Sequence, residues 1–451
     1  MQTRQRRSNF EVKNYFSMKA LKTLTLLLFA PSVVAMAQNK AWTYAECVDY
    51  ARQNNISLQQ SVLSERIADE TLSQSKAQWQ PTLDFATTHS FANSPWGNDS
   101  KNTYSSNYGL NASWTVWNGG QRENTIKRDK LQAEISRLNT TDQFRTLETD
   151  LLQVYLNILY AQESVGIYKE TEELSLAQAN RAKMLMESGK LSRVDFAQLQ
   201  SQYEQDHYNY INAIGTYDTR RMELKRLLQL GIDSAVSVVP MRLSADEIMS
   251  PLPPLEQSYT MAVETDAKLK ALKLQGESAA YDVDIAAAGN APEISLNAGI
   301  GTAYAAPGGA FGTQLKQRTS ESVGFTLAIP LLDNRRTKTA KAKARLQQIN
   351  ATLDTQERLT DIAQNLESWY IDLRAAQARY TAGVEQESSA KLTNDLVNEQ
   401  FSLGLVNTVE LMTAHNNLLQ ARHSLLQTKY MALLAQKMIQ FYRTAQITIP
   451  Q

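Results

Sequence analysis

Gly189-Lys190-Leu191-Ser192-Arg193-Val194-Asp195 interrupts a very long helical pattern, and Gly404-Leu405-Val406-Asn407-Thr408-Val409-Glu410 does so again 215 residues later (404 minus 189). Glycine stands where a helix ends in a left-handed C′ residue. Ser192 or Asn407 follows three positions on, where a new helix needs a side-chain N-cap. Asp195 or Glu410, three further, is the far end of a capping box. Each stretch therefore reads as helix, tight turn, helix.

Upstream of the first turn, the pattern is helical without a break from Asn118-Gly119-Gly120 to about Ser188. At 1.5 Å per residue this is on the order of 100 Å, more than a compact domain uses. Leu147, Leu151, Val154, Ile158, Ala161, Val165 and Tyr168 follow alternating steps of four and three, the spacing of a coiled coil. A partner helix is expected from Ser192 to about Leu230, with Tyr203, Tyr210 and Tyr217 on its seam. An earlier helix is expected from Thr43 to about Gln78, capped by Thr43 with Glu46.

Between these helices the period changes to two. Leu83, Phe85, Thr87, His89 and Phe91 alternate with small and polar residues, and so do Tyr108, Leu110, Ala112, Trp114 and Val116. A polar loop with Pro95 and Gly97 joins them, giving a hairpin with one apolar face. The second half repeats the plan. Pro292-Glu293-Ile294 matches Pro81-Thr82-Leu83 at an offset of 211 (292 minus 81). After a Gly/Pro-rich loop four residues longer, Val323 to Ile329 form the returning strand at an offset of 215. A second long helix is expected from about Asn334 to Leu403, its seam at Ile362, Leu366, Trp369, Leu373, Ala376 and Tyr380. The last runs from Asn407 to about Tyr442, leaving Ile447-Thr448-Ile449 as a short strand. Four strands and four long helical segments at matching offsets define an internal repeat. The repeats are 38–230 and 258–445, joined by the Pro-rich segment 231–257, with a tail at 446–451. The fold class is mixed α and β.

Residues 1–37 read as an export signal. Lys19 and Lys22 precede the apolar run Leu24 to Ala30, and Ala35-Met36-Ala37 has the small-x-small form of a cleavage site. Met18 is an alternative start. Arg6-Arg7 lies too far from the apolar run for a twin-arginine signal. Lys plus Arg and Asp plus Glu both number 46, so there is no basic surplus pointing to nucleic acid. Cys47, the only cysteine, excludes an intramolecular disulfide and lies ten residues beyond Ala37, poorly placed for lipidation.

Strands of roughly 9–11 residues suit a tilted crossing of a bilayer. Four cannot close a barrel, and open edges cannot face lipid, so a spanning sheet requires a dimer of eight strands or a trimer of twelve. Tyr104, Tyr108, Trp114, Trp117 and Tyr304 suit an aromatic girdle. The alternative is a soluble, half-buried sheet packed on helices.

These features resemble the TolC-like outer-membrane factors of Gram-negative bacteria. The resemblance covers about residues 40–445. It rests on Phe401-Ser402-Leu403-Gly404-Leu405-Val406 with Asn407-Thr408-Val409-Glu410-Leu411, and on Ser188-Gly189-Lys190-Leu191 with Val194-Asp195. Thr43-Tyr44-Ala45-Glu46-Cys47 and Trp117-Asn118-Gly119-Gly120 carry it further. It implies a homotrimer whose twelve strands form a transmembrane β-barrel in outer-membrane lipid, continued by a helical tunnel in the periplasm. The function implied is a passive exit duct of a tripartite efflux or type I secretion system. Such a duct docks a periplasmic adaptor (membrane fusion) protein and, through it, an inner-membrane pump.

On this reading Asp195 and Glu410 place six carboxylates at the closed tunnel end, where they favour cations; the alternative is capping alone. Val406 and Thr413 join them at the constriction. Val194, Val406, Phe401 and Thr413 stand where relatives carry polar links and a second acidic ring. None can ionise, so apolar packing is the expected latch. Gly189, Lys190, Leu191, Gly404, Leu405 and Val406 are the expected adaptor contact, with packing inside the helical hairpins as the alternative.

No cofactor and no enzyme activity are expected, since neither a phosphate-binding loop nor a Ser/His/Asp grouping is present. His89, His207, His415 and His423 lack metal-site spacing; His415 and His423 share a helix face with no neighbouring acid or cysteine on that helix. A reading from another class is a periplasmic structural coiled-coil protein without a pore.

Overall fold

The computed structural model describes residues 41–93, 95–96, 102–241, 243–306 and 308–449. The export signal, Met18, Arg6-Arg7 and Gly97 lie outside them. The elements are β1 (Ala41–Trp42), α1 (Tyr44–Asn54), α2 (Ile56–Ala77), β2 (Thr82–Asn93), β3 (Asn102–Trp117), α3 (Gln121–Glu187) and α4 (Arg193–Leu227). After these come β4 (Ser237–Val238), α5 (Ala245–Ile248), α6 (Leu255–Thr265), α7 (Ala267–Ala287) and β5 (Glu293–Ala306). The chain finishes with α8 (Phe311–Gln317), β6 (Ser320–Ala328), α9 (Arg336–Ser402) and α10 (Thr408–Thr444).

Helices α3 and α9 are each 67 residues long, which at 1.5 Å per residue is roughly 100 Å. Helices α2, α3, α7 and α9 lie side by side in that order, with α4 folded against α3 and α10 against α9. The expected seams are buried at Leu147, Leu151, Ile158 and Ala161, and at Ile362, Leu366, Leu373 and Ala376. On α3 the burial widens to Leu152, Tyr155, Leu156 and Leu159, because α1, β4 and α10 also pack there. An a/d seam accounts for one partner helix; several partners cover several faces.

The helix expected from Thr43 to Gln78 is instead two. Asn55, at φ −67° and ψ 123°, ends α1 and caps α2 by accepting the Leu58 N–H at 3.1 Å. Its side chain offers the backbone a partner outside the helix, and this favours a break. Asp266, 211 residues on, does the same between α6 and α7, accepting the Leu269 N–H at 2.6 Å. Segment 231–257 is a packed appendage rather than a free linker: β4 pairs in parallel with β1, and Val236, Val238 and Ile248 are buried. The tail at Ile447–Ile449 forms no strand; its isoleucines pack on the core, and Gln440 Nε2 donates to Thr448 Oγ1 at 2.7 Å.

The antiparallel sheet runs β2-β3-β5-β6. Leu83 pairs with Ala112, and the positions 211 and 215 further on, Ile294 and Leu327, pair with each other. At the sheet's base Asn118 Oδ1 accepts the Arg122 N–H at 3.2 Å, and Asp333 Oδ2 accepts the Thr337 N–H at 2.8 Å. Arg122 is buried. Its guanidinium lies 3.5 Å from the Trp79 ring centroid and donates to the carbonyls of Thr115 (2.7 Å), Val116 (3.1 Å) and Gln78 (3.3 Å). The hairpin base is thereby locked to the long helix.

One feature of the β5–β6 connection differs from the expected loop: α8 sits in it. Pairing of β6 to β5 stops at Ser320 and Gly301. Beyond that point the Gln314 amide bonds both N and O of Ala305, at 3.1 and 3.0 Å. A single side chain thus satisfies backbone groups that a longer β6 would have covered.

Candidate functional site

The two helical tips are built alike. Gly189 and Gly404 have φ of +72° and +74°, a region costly for residues with a Cβ. Lys190 N–H donates to Leu185 O at 2.8 Å and Leu405 N–H to Gln400 O at 2.9 Å, closing the last turn of each helix. The next helix is then capped. Ser192 Oγ accepts the Asp195 N–H at 3.0 Å, and Asn407 Oδ1 accepts the Glu410 N–H at 2.9 Å. Neither tip closes the full reciprocal box, which does form at Thr43/Glu46 and Ser244/Glu247.

Asp195 is committed elsewhere. Its carboxylate accepts the Ser192 hydroxyl at 2.6 Å and the Thr408 hydroxyl of the other tip at 2.9 Å. These hydrogen bonds, Ser192's first, hold its carboxyl below the usual carboxylate range. Thr408 is only 1% exposed. Gln178 Nε2 donates to Asn398 Oδ1 at 2.6 Å, and Arg181 reaches the Ser402 carbonyl at 3.5 Å. Polar links therefore join the two hairpins within one chain, alongside apolar packing of Ala182, Leu199, Leu411, Leu191 and Phe401. Leu191 and Phe401 are partly buried against this cluster. Val406 is half-buried, whereas Val194, Thr413, Gly189, Lys190, Gly404 and Glu410 are exposed, and Leu405 is 71% exposed.

Farther from the tips is a cluster that spacing along one helix does not reveal. His415 on α10 is buried, and its Nε2 lies 2.9 Å from Asp206 Oδ2 on α4, also buried. Gln202 Nε2 donates to Asp206 Oδ1 at 3.1 Å and to Asn416 Oδ1 at 3.4 Å. An acid does join His415, from across the helix pair rather than along α10. The available signal was a polar side chain on each of two facing seams, Asp206 and His415, which burial obliges to pair. His423 finds no such acid: its ring lies 4.3 Å from that of Tyr168, and burial pushes its pKa down. Higher still, Arg422 bridges Glu170 and Glu387, and Lys429 and Tyr430 both engage Glu163. Helix α10 is strapped to its neighbours for most of its length. Among the described residues no group of three or more His, Cys, Asp or Glu could hold a metal ion.

At the opposite end of the molecule the sheet has one apolar face. Trp114, Leu296 and Phe325 lie level near the helices; Leu110 and Ile300 follow, and Phe91, Tyr104, Tyr304 and Phe311 stack at the distal end. From Trp114 to Tyr104 is about 34 Å along the strand at 3.4 Å per residue, or ~26 Å of height at a 40° tilt. That is the height of the apolar band of an outer-membrane barrel. No helix among the described residues is long and apolar enough to cross a membrane.

A sheet sized for the bilayer above helices of roughly 100 Å defines a class of export-channel subunit. The Outer membrane efflux protein family model matches residues 47–229 and 259–442, and the chain belongs to that family. It is 21% identical to the outer membrane efflux protein BepC of Brucella suis biovar 1 (strain 1330), over 93% of this chain and 90% of that one. It is 19% identical to the outer membrane protein TolC of Escherichia coli (strain K12), over 90% and 82%. The fold also matches the Campylobacter jejuni CmeC outer membrane channel with a TM-score of 0.76, 18% identity, and coverage of 87% of this chain and 84% of that one. The protein is a TolC-like outer-membrane efflux protein, with its helical part in the periplasm.

Proposed function

We propose that three copies of this chain close into a ring whose twelve strands form one transmembrane barrel, continued by a helical tunnel that ends at the glycine tips. The observation that carries this is the sheet: an apolar face of membrane height, with the outer edges of β2 and β6 unpaired within the chain. Each unpaired N–H or C=O in hydrocarbon costs several kcal/mol, about 2–7 by transfer, so such a sheet in lipid must find strands of another copy. The ring is a passive, non-enzymatic exit duct. Asp195, Glu410, Val406 and Thr413 surround its periplasmic constriction. The exposed tip around Leu405, with Gly189, Lys190, Leu191, Gly404 and Val406, receives a periplasmic adaptor and through it an inner-membrane pump. Residues 1–37 are the export signal, 38–230 and 258–445 the repeats, 231–257 the equatorial segment and 446–451 the tail.

Two experiments test this. Detergent-extracted protein from outer-membrane fractions should have the mass of three chains and conduct ions in planar bilayers; a soluble periplasmic monomer overturns the reading. A photo-crosslinker at Leu405 should capture an adaptor protein, while capture of lipid or self alone counts against tip docking.

A further inference from the structure

We propose, on the reading that this sheet crosses the outer membrane in a ring of copies, that α8 is a lipid anchor. It lays its apolar side against the distal end of the sheet and offers Lys316 and Arg318 to the phosphates of a sugar-headed lipid in the outer leaflet. The position of α8 follows from the residues that hold it. Along β5, Thr302 and Tyr304 alternate with Ala303 and Ala305 and so stand on the apolar face. Phe311 and Leu315, four apart and hence on one side of α8, meet those two. The Phe311 ring lies 5.1 Å from that of Tyr304, and the Leu315 carbonyl accepts the Thr302 hydroxyl at 2.5 Å. Gln314, between them, is buried against the backbone of Ala305. Gly308 lets the chain turn this closely, since a Cβ there would stand 2.7 Å from the Ala305 carbonyl oxygen. The helix is therefore fixed toward the face that lipid would cover rather than the face that would line the lumen.

Its depth follows from the rings. Contacts run without a gap from Phe91 to Tyr104 (4.7 Å), from Tyr104 to Tyr304 (6.0 Å) and from Tyr304 to Phe311, so α8 continues the distal aromatic belt. Tyrosine concentrates where hydrocarbon gives way to headgroups. The long helices lie in the periplasm, so this belt, at the opposite end of the sheet, meets the outer leaflet.

At the end of α8, Lys316, Gln317 and Arg318 are exposed. Among the described residues neither cation forms an ion pair, and the nearest acid in sequence, Glu321, is itself exposed. Two cations held at headgroup level without a protein partner attract phosphate. Their long stems carry the charged ends out of the hydrocarbon, and an arginine can meet a phosphate with two parallel N–H groups. The belt adds ring faces on which a sugar can lie. His89 Nδ1, 2.8 Å from the Tyr104 hydroxyl, holds one of those rings in place. A phospholipid headgroup would use the cations alone, whereas a phosphorylated sugar uses both the cations and the rings.

The test is native mass spectrometry of the full-length protein in detergent, mixed with diphosphorylated lipid A, dephosphorylated lipid A or phosphatidylglycerol. Wild type should retain the diphosphorylated form best. Lys316→Gln with Arg318→Gln should weaken that retention about thirtyfold, at roughly fivefold for each basic side chain beside an anionic lipid surface, and leave the dephosphorylated form unaffected. Lys316→Arg with Arg318→Lys, which keeps both charges, should retain the lipid like wild type. So should Lys183→Gln with Lys391→Gln, the same change of charge at exposed positions of α3 and α9. Equal retention by wild type and the Lys316/Arg318 glutamine variant, or an equal loss in the Lys183/Lys391 variant, overturns the anchor. Phosphatidylglycerol held as tightly as diphosphorylated lipid A overturns the sugar headgroup. Protein of monomer mass in the same spectra overturns the ring, and the anchor with it.

Discussion

Thr408→Val removes the hydroxyl that joins one tip to the other and little else. Valine fills nearly the same space at a fully enclosed position, so the fold should survive. The lost interaction is a hydrogen bond of 2.9 Å from a neutral donor to the Asp195 carboxylate. Hydrogen bonds to charged groups contribute about 1.5–3 kcal/mol net. Asp195 is half-buried at the tip, and solvent screening there reduces this to about 1 kcal/mol per link. In the proposed ring of three copies, three such links would hold a closed tip by roughly 3 kcal/mol, or about a hundredfold in the ratio of closed to open tips. In planar bilayers Thr408→Val should raise the open fraction toward that limit. Asp195→Asn should do the same, and the double variant should exceed neither by more than about twofold, as expected for two ends of one contact. Wild-type conductance from Thr408→Val, or effects that add in the double variant, would refute the reasoning. The pH dependence follows from the sign of the shift. A carboxyl held below its ordinary value contributes stability above the unfolded pKa of about 3.9, and loses it as pH falls through the folded value. The link should hold at neutral pH and release only under acidification below about pH 4.

His415→Ala leaves the Asp206 carboxylate buried without its main partner and should destabilise the protein by about 3–5 kcal/mol, seen as a lower thermal midpoint; an unchanged midpoint would show that the pair is not enclosed. Arg122→Ala should cost roughly 3–5 kcal/mol, from three carbonyls left without a charged donor and a lost ring contact. That loss should weaken the base of the hairpin, read as increased proteolysis between Gln78 and Arg122, where wild-type resistance would count against the lock. Burial, reinforced by Glu46, pushes the Cys47 thiol up to about 12. Its thiolate is then scarce at pH 8, and thiol reagents should label it only after unfolding; rapid labelling of native protein would contradict its enclosure.

The periodic elements were legible because each needs only its own residues. Period-two and heptad spacing located all four long strands and the four helices flanking the tips. Gly189 and Gly404 marked the turns because only a residue without a Cβ adopts positive φ there at low cost. Boundaries failed where a side chain could serve either of two local structures. Asn55 and Asp266 each end one helix and start the next, and Gln314 stands in for a missing stretch of strand. Local spacing places Asp195 beside the first tip turn but carries no sign of its bond to Thr408. Asp195 looked like a capping residue because Ser192 is three positions away, while Thr408 is 213 positions away.

By itself, then, the sequence determined the elements, their repetition and the chemistry of the turns, since these follow from spacings within a few residues along one chain. Only the tertiary structure decided which side chains are enclosed together. Asp195 with Thr408, Asp206 with His415, and Arg122 with Trp79 are joined across helices or between helix and sheet, where burial leaves a polar group no partner but the one the packing supplies.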